Sequence, residues 1–361
     1  MKAAVLRALH APLEIEEVEI GQPGPREVLV RTAACGVCHS DLHVVEGALP
    51  TTLPAVLGHE PAGVVERVGS EVRQFAAGDH VIGCLSAFCG TCEYCVGGRP
   101  NLCGGDATRR TPQEEPRLRT ARTPVAQFAH LSAFAEQMLV HENTLVKIRP
   151  DMPLDRAALI GCGVTTGLGA AFNTAQVRAG RSVAVIGCGG VGLSIIQGCR
   201  IAGAGRIIAL DSRDWKLDLA RQLGATDTVS TAAGNAGAQV MEMTAGGVDY
   251  AFEAIGLPAT VRDAVRMTRK GGTTIMVGVV PVGTNVELPA ADIVMREKSI
   301  LGSMMGSNRF RTDMPRYVDL YLKGQLKLDE MISARLPLEQ VNDALDALRE
   351  GTAARSVLVF G

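Results

Sequence analysis

The chain has 361 residues, a formal net charge of −2 at pH 7 and 47% hydrophobic residues. This length favours two domains with sizeable cores, and the near-neutral charge argues against a nucleic-acid-binding surface. The N-terminus lacks the apolar core of a signal peptide, and glycine or charge interrupts the long apolar stretches, so we expect a cytoplasmic protein without a membrane contact.

The first 150 residues consist of short segments separated by turn residues. Apolar residues recur in the short segments 3–6, 28–32 and 62–68, and glycine, proline or aspartate lies between them. Such a pattern is typical of strands, so we predict a mostly β domain. Residues 104–127 are polar and rich in arginine and proline, which predicts a long surface loop.

From about residue 155 strand and helix patterns alternate. Strands are predicted at 182–186, 206–210, 249–252 and 273–277, with helices between them, for example at 214–223. Such alternation predicts a doubly wound parallel sheet. The sequence after residue 298 has a helical pattern and ends in an apolar segment at 356–360. We expect this segment to form a strand that returns to the first domain.

A glycine-rich turn follows the strand at 182–186. Gly187, Gly189 and Gly192 form G-x-G-x-x-G, and the next strand ends in Asp211. In this setting the glycines permit a tight turn, approach of a pyrophosphate and close helix packing, while the acid binds the adenosine ribose. A glycine-rich packing turn is the weaker alternative. The sequence favours NAD, although Arg213 could partly neutralise the 2′-phosphate of NADP.

Four cysteines lie within a short segment with the spacing C-x₂-C-x₂-C-x₇-C. Four close thiolates suit a closed tetrahedral zinc site with a structural role. An iron–sulfur cluster, disulfides and buried thiols are weaker interpretations. The cysteines are Cys89, Cys92, Cys95 and Cys103.

Three further segments, 35–43, 58–60 and 161–163, contain potential metal ligands. A catalytic zinc needs three protein ligands and an open position. These residues are far apart in the sequence, so spacing alone does not select among them.

The order and approximate gaps of these motifs resemble the zinc-containing medium-chain alcohol dehydrogenases over nearly the whole chain. The resemblance implies a GroES-like catalytic domain at 1–160 and 297–361, with a zinc lobe at about 89–103, and an NAD-binding Rossmann domain at 161–296. It implies an active site in the cleft between them. It also implies one structural zinc on the four-cysteine lobe and one catalytic zinc on Cys38, His59 and Cys162.

The resemblance further implies how protons and ligands are handled. Ser40 would take a proton from the substrate oxygen and pass it through the cofactor ribose to His43, for which an exposed bystander is the alternative. Asp41 would orient His59, and Glu60 would lie close behind the metal.

Other residues match cofactor contacts of the family. Thr166 and Val191 would pack near the nicotinamide, and Gly190 belongs to the phosphate-binding turn. Lys216 would reach the adenosine ribose and Arg355 the pyrophosphate, with solvated surface charges as the alternative for both. His39 replaces an arginine found in some relatives, and we expect it to face the pyrophosphate. Cofactor binding should then weaken as pH rises, because the imidazole loses its positive charge.

The implied activity is oxidation of primary or secondary alcohols by NAD, or reduction of the matching aldehydes or ketones. A thiol-dependent formaldehyde dehydrogenase is the alternative, because the arginine-rich segment 109–122 could hold a charged thiol cofactor. Two weaker alternatives are a branch of the family that keeps NAD bound through turnover and a non-catalytic protein that binds zinc and nucleotide. The apolar segment 276–288 is expected to pair across a two-fold axis in a homodimer or a tetramer. Four further cysteines are expected to be buried hydrophobic residues: Cys35, Cys84, Cys188 and Cys199.

Overall fold

The computed structural model describes residues 1–121 and 123–361. In chain order the strands are β1 (Lys2–Leu6), β2 (Glu14–Glu17), β3 (Glu19–Ile20), β4 (Glu27–Val37), β5 (Ala55–Val56), β6 (Glu60–Val68), β7 (His80–Gly83), β8 (Leu118–Arg119), β9 (Pro124–Gln127), β10 (Gln137–His141), β11 (Leu145–Lys147), β12 (Ser182–Ile186), β13 (Arg206–Asp211), β14 (Asp227–Ser230), β15 (Val248–Glu253), β16 (Thr268–Met276), β17 (Ser299–Gly302), β18 (Ile332–Leu336) and β19 (Arg355–Val359). The α-helices are α1 (His39–Val45), α2 (Glu93–Val96), α3 (Leu154–Leu159), α4 (Thr165–Gly169), α5 (Gly190–Ile201), α6 (Asp214–Leu223), α7 (Ala236–Met243), α8 (Pro258–Met267), α9 (Ala290–Met295), α10 (Phe310–Leu322) and α11 (Val341–Glu350).

The chain forms two compact units, and the first contains residues 1–162 and 309–361. It is mostly β. One sheet has the strand order β2-β1-β5-β9-β8-β3, and the other has the order β11-β7-β6-β4-β19-β18, with β10 also paired to β4. The long strand β4 is buried along most of its length because it lies between β6 and β19 in the second sheet. The C-terminal strand β19 therefore belongs to the same sheet as β4 and β6.

The second unit, residues 163–308, contains a parallel sheet with the order β14-β13-β12-β15-β16-β17. The strand order reverses between β12 and β15, and helices connect successive strands, which confirms the predicted doubly wound fold. Strand β12 is buried after its first residue, as expected when a parallel strand is covered on both faces. Residues 297–308, assigned from sequence to the catalytic domain, lie in this unit because β17 extends the sheet by pairing with β16.

The segment 104–127 is not a single long loop, so that prediction was wrong in part. Strands β8 and β9 form an antiparallel pair, and β8 also pairs with β3. The sequence did not indicate this pairing because each strand is short and has one apolar residue with a buried side chain among polar residues and arginines. These residues are Leu118 in β8 and Val125 in β9. Arg122, within the arginine-rich segment, lies outside the described residues.

Among the described residues, one helical segment is long and apolar enough to cross a membrane. It runs from Leu154 to Thr174, and 83% of its apolar window is buried inside the protein. Burial of this kind is typical of a core helix. A wider π turn interrupts the segment at Ile160–Val164, and a second one ends it at Ala170–Thr174.

Candidate active site and cofactor site

A buried cluster of potential metal ligands forms within the first unit. The ligand atoms of Cys38, His59, Glu60 and Cys162 all lie within 4.8 Å of one another. Cys38 follows β4 and precedes α1, His59 directly precedes β6, and Cys162 lies in the first π turn. The antiparallel register of β4 and β6 pairs Gly36 with Glu60, which brings the ends that carry Cys38 and His59 together.

Asp41 fixes the orientation of His59. Its fully buried carboxylate accepts hydrogen bonds from His59 Nδ1 at 3.0 Å, from the backbone N–H of Gly58 at 3.0 Å and from that of Cys38 at 3.2 Å. With Nδ1 held in this way, the imidazole turns Nε2 towards the cluster. Gly58 is required here: its φ is +86°, and a Cβ would lie 2.5 Å from the backbone nitrogen of Phe134.

The donor set fits zinc. His59 Nε2 is buried and has no hydrogen-bond partner within the part of the chain that the structure describes. An orphaned imidazole nitrogen beside two thiols is the ligand pattern of a catalytic zinc site. Contact with the Cys162 thiol holds the pKa of Cys38 well below its usual range, which favours the thiolate. Burial lowers the pKa of His59, but Asp41 and Cys38 together outweigh burial and raise it to about 10, so metal binding at Nε2 must release a proton.

Glu60 and Arg355 form an ion pair behind these ligands. Both side chains are buried, and Arg355 Nη2 donates to Glu60 Oε2. Gly36 makes room for the carboxylate, because a Cβ there would lie 2.2 Å from Glu60 Oε2. Arg355 is therefore not a solvated surface charge, and its guanidinium contacts Glu60. A contact with the pyrophosphate stays a prediction.

Helix α1 carries the residues expected to handle the proton. Ser40 and His43 lie three positions apart and are both half-buried, so they share one face of the helix. His39 is exposed at the start of the helix, with its ring centroid 6.3 Å from that of His43. The proton relay and the cofactor contact of His39 stay predictions.

The second metal-ligand cluster contains Cys89, Cys92, Cys95 and Cys103, whose Sγ atoms lie within 4.8 Å of one another. Backbone N–H groups point at the sulfurs: Cys92 donates to Cys89 at 3.3 Å, and Cys89 donates to Cys103 at 3.3 Å. The N–H and hydroxyl of Thr91 lower the pKa of Cys89 to about 5, which favours the thiolate. None of the ten cysteines forms a disulfide, so the disulfide interpretation was wrong, and the four outside both clusters are buried as predicted.

The glycine-rich turn joins β12 to α5 in the second unit. Gly187 has φ +96°, and a Cβ on Gly192 would lie 1.7 Å from the carbonyl oxygen of Gly187. Glycine is therefore obligatory at both positions. A Cβ on Gly189 would meet no atom within 4 Å among the described residues. The turn thus leaves open space at Gly189, next to the half-buried Gly190 and Val191 of the first helical turn, where a pyrophosphate could approach α5.

Asp211 ends β13 beside this turn. Its carboxylate accepts hydrogen bonds from the backbone N–H of Cys188 at 2.8 Å and from that of Arg213 at 3.1 Å. Lys216 is half-buried and lies near Cys188: burial and Asp211 raise the pKa of that thiol to about 12, and Lys216 acts against the rise. Thr166 is buried in α4, with its hydroxyl 3.4 Å from the sulfur of Met305.

Sequence reasoning missed two features of the first unit. The ring of Phe128 packs edge-on against that of His59, with centroids 5.6 Å apart. Glu27 is buried and binds Arg117 Nε at 2.7 Å and Arg110 Nη2. These contacts join residues far apart in the chain, and no local pattern signals them.

Comparisons with known proteins cover both units. Residues 24–150 match the family model described as "Alcohol dehydrogenase GroES-like domain", and residues 190–323 match "Zinc-binding dehydrogenase". The chain is 40% identical to the alcohol dehydrogenase class-3 of Drosophila melanogaster, over 99% of this chain and 97% of the fly protein. It is also 40% identical to the S-(hydroxymethyl)glutathione dehydrogenase of Saccharomyces cerevisiae, over 99% of this chain and 95% of the yeast protein. The crystal structure of benzyl alcohol dehydrogenase from Acinetobacter calcoaceticus superposes with a TM-score of 0.95 at 33% identity, covering 100% of this chain and 99% of that one.

Proposed function

The chain belongs to the zinc-dependent alcohol dehydrogenases, which use a nicotinamide cofactor, and from this premise we propose that it oxidises primary or secondary alcohols with NAD to aldehydes or ketones. The observation that carries the proposal is the buried cluster of Cys38, His59 and Cys162, in which Nε2 of His59 has no hydrogen bond to any described residue. In this proposal these three residues hold the catalytic zinc. Cys89, Cys92, Cys95 and Cys103 hold the structural one.

The residues around the cluster supply binding and orientation. Zinc bound there would act as a Lewis acid that lowers the pKa of an alcohol hydroxyl. Asp41 keeps His59 in the tautomer that presents Nε2, and Arg355 keeps the Glu60 carboxylate paired in the buried space. In this proposal Ser40 takes the proton that leaves the substrate oxygen while it gives up its own hydroxyl proton, and His43 delivers a proton to solvent.

NAD is the proposed cofactor. The Asp211 carboxylate is held in place by two backbone N–H groups, so its negative charge stands beside the phosphate-binding turn. That charge would accept hydrogen bonds from the ribose hydroxyls of NAD and repel the 2′-phosphate of NADP. Lys216, Thr166, Val191 and the glycine turn complete the proposed cofactor contacts.

A thiol-dependent formaldehyde dehydrogenase is the second candidate, and the name of the yeast relative favours it. Its proposed thiol site was the arginine-rich segment 109–122. In the structure Arg110 and Arg117 are bound to Glu27, and Arg119 is bound to Glu19 at 2.6 Å. Arg109 is the arginine with the weakest pairing among the described residues of this segment, which reduces the support for a thiol site of several arginines.

We also propose a homodimer. Strand β17 lies at one end of the parallel sheet, and its backbone could pair with the same strand of a second copy. Val279 and Val282, in the segment 276–288 that was expected at this interface, are 62% and 86% exposed. Within that segment only Met276 belongs to a strand, so β17 is the better candidate for edge pairing.

The proposed activity is tested by NADH formation with zinc-loaded protein and a graded panel of primary and secondary alcohols. Formaldehyde mixed with glutathione forms the second arm. We expect turnover of plain alcohols, its loss in Cys38→Ala and its retention in Cys35→Ala, since Cys35 is also a buried cysteine but lies outside the cluster. Turnover only of the formaldehyde–thiol mixture would transfer the assignment to the second candidate, and full activity of Cys38→Ala would refute the ligand set.

A further inference from the structure

Residues 128–132 lie beside the proposed catalytic zinc ligands and have an unusual backbone. Ala129, His130 and Ser132 have φ values of +54°, +62° and +60°. Residues with a Cβ rarely adopt this left-handed conformation, because the Cβ crowds the following carbonyl oxygen. Such a backbone persists only where surrounding contacts hold it, and it is concentrated at functional sites. We call residues 128–132 the left-handed turn.

The left-handed turn brings Phe128 to the imidazole of His59. The two ring centroids are 5.6 Å apart and the ring planes are inclined at 83°, which is an edge-to-face packing. The hydrogen bond to Asp41 fixes one nitrogen of the imidazole, but the ring can still tilt about that point. Phe128 opposes this tilt, so the position of the turn affects the direction in which Nε2 of His59 points.

Ser132 holds one end of the left-handed turn. Its buried hydroxyl donates to the carbonyl oxygen of Val56 at 2.9 Å and accepts from the backbone N–H of Phe128 at 3.0 Å. These bonds attach the turn to strand β5, just before His59 in the chain. They do not involve the side chain of His130.

The side chain of His130 ties the turn to the segment that follows the four-cysteine lobe. Its Nδ1 lies 3.1 Å from the hydroxyl of Thr108, which is buried and donates to the carbonyl oxygen of Gly105 at 2.6 Å. A hydroxyl has a single proton, so it accepts the hydrogen bond from His130. Burial, together with Arg109 and Arg117, lowers the pKa of His130 to about 4. The imidazole is therefore neutral at pH 7, with its one proton on Nδ1.

Gly105 continues this chain of hydrogen bonds to the lobe. Its backbone N–H donates to Sγ of Cys103 at 3.4 Å. A thiolate, the form in which cysteine binds zinc, accepts hydrogen bonds roughly twice as strongly as a neutral group. The bond from Gly105 is therefore stronger when the lobe is loaded with metal, and the chain of hydrogen bonds from Cys103 to His130 is held more firmly.

We propose that the four-cysteine lobe positions the catalytic zinc ligand His59 through the hydrogen bond between Thr108 and His130 and through the left-handed turn. The lobe thus raises the zinc affinity of the catalytic cluster, in addition to stabilising its own segment. Thr108, His130 and Phe128 are positioning residues, since none of them belongs to either ligand cluster. This inference rests on the proposed function, which assigns zinc to both clusters.

The test measures the zinc affinity of the catalytic cluster by equilibrium competition with a chromophoric chelator. Thr108→Val keeps the shape of the side chain but removes the hydroxyl, so it interrupts the chain of hydrogen bonds without changing a metal ligand. Thr108→Ser keeps the hydroxyl. Cys38→Ala, which lacks one ligand of the catalytic cluster, shows which step of zinc release belongs to the lobe.

Thr144→Val is the matched control. Thr144 is also buried, and its hydroxyl also donates to the carbonyl oxygen three residues earlier, at 2.8 Å, but it lies outside both clusters. We expect Thr108→Val to lower the zinc affinity of the catalytic cluster roughly threefold to tenfold, as is usual for the loss of one hydrogen bond. Thr108→Ser and Thr144→Val should keep the wild-type affinity. An unchanged affinity in Thr108→Val, or an equal loss in Thr144→Val, would overturn the inference.

A double-mutant cycle with Phe128→Leu separates positioning from a general loss of stability. If Thr108 acts through the ring of Phe128, Thr108→Val should lower the zinc affinity only while that ring is present, so the two losses should not add. Additive losses would show that Thr108 acts by another route and would overturn the inference.

Turnover of alcohols with NAD is measured on the same proteins at saturating zinc. Turnover by wild type, combined with a zinc affinity that Thr108→Val does not change, would overturn the inference and leave the proposed function intact. The expected changes in zinc affinity in a protein that oxidises no alcohol would support the inference and refute the proposed function alone.

Discussion

Replacing Asp41 by asparagine should weaken zinc binding at the buried cluster and leave the four-cysteine lobe unchanged. Asp41 is fully buried, and its two oxygens accept three hydrogen bonds, from His59 Nδ1, Gly58 N and Cys38 N. Asparagine keeps one oxygen. If that oxygen accepts the hydrogen bonds from His59 and Gly58, the new amide NH₂ group faces the N–H of Cys38. Both groups are hydrogen-bond donors, so the N–H of Cys38 loses its acceptor.

The magnitude follows from these contacts. A buried donor left without an acceptor costs about 1–3 kcal/mol of folding stability. Loss of the carboxylate that orients a ligating histidine lowers metal affinity by roughly 10- to 100-fold. The loss of metal affinity is expected because a neutral amide, unlike the carboxylate, does not strengthen the electron-pair donation from Nε2 of His59 to the metal.

The assay is equilibrium competition for zinc with a chromophoric chelator, which counts both zinc ions. In wild type both should resist the chelator; in Asp41→Asn one should be released at a roughly 10- to 100-fold lower chelator concentration. Asp79→Asn is the matched control, since Asp79 pairs with Lys147 outside both clusters. A release curve for Asp41→Asn that coincides with wild type would refute the role given to Asp41.

Three further predictions concern the remaining parts of the molecule. Gly192→Ala should lower Tm by several degrees, because its Cβ would lie 1.7 Å from the carbonyl oxygen of Gly187. Gly189→Ala should keep Tm but weaken NAD binding, since a Cβ there would meet no described atom and would occupy the space proposed for the pyrophosphate. Thermal melts and NAD titration distinguish the two variants, and an unchanged NAD affinity in Gly189→Ala would contradict the proposed pyrophosphate position. Burial raises the pKa of Glu27, but its bonds to Arg110, Arg117 and Gly24 outweigh burial and lower it from the usual 4.5 to about 2. Glu27→Gln should therefore lower the free energy of unfolding by about 2 kcal/mol at pH 7, after allowance for solvent screening, and this loss should shrink as pH falls from 4.5 towards 2. Urea unfolding of both proteins at several pH values measures the loss, and a loss independent of pH would count against the pairing. Asp211→Asn should improve kcat/KM with NADP relative to NAD by roughly tenfold, since it removes the charge that repels the 2′-phosphate, and an unchanged ratio would argue against that role.

Local patterns in the sequence were sufficient for the four central strands of the sheet in the second unit and for the four-cysteine lobe. Strands β12 and β13 and helix α6 lie at their predicted positions, because apolar periodicity over a few residues encodes a buried parallel strand or an amphipathic helix. Cys89 to Cys103 span a short segment, so their spacing alone indicates a shared site. The order of the motifs also identified the family, which the comparisons confirm.

The tertiary structure alone decided which distant residues meet. Register pairs Gly36 with Glu60 between β4 and β6, and Val37 with Ser356 between β4 and β19, and this places Arg355 against Glu60. The same register brings Cys38 to His59. Strand register depends on packing across the sheet and not on sequence spacing, so this ion pair could not be derived from the residues in chain order.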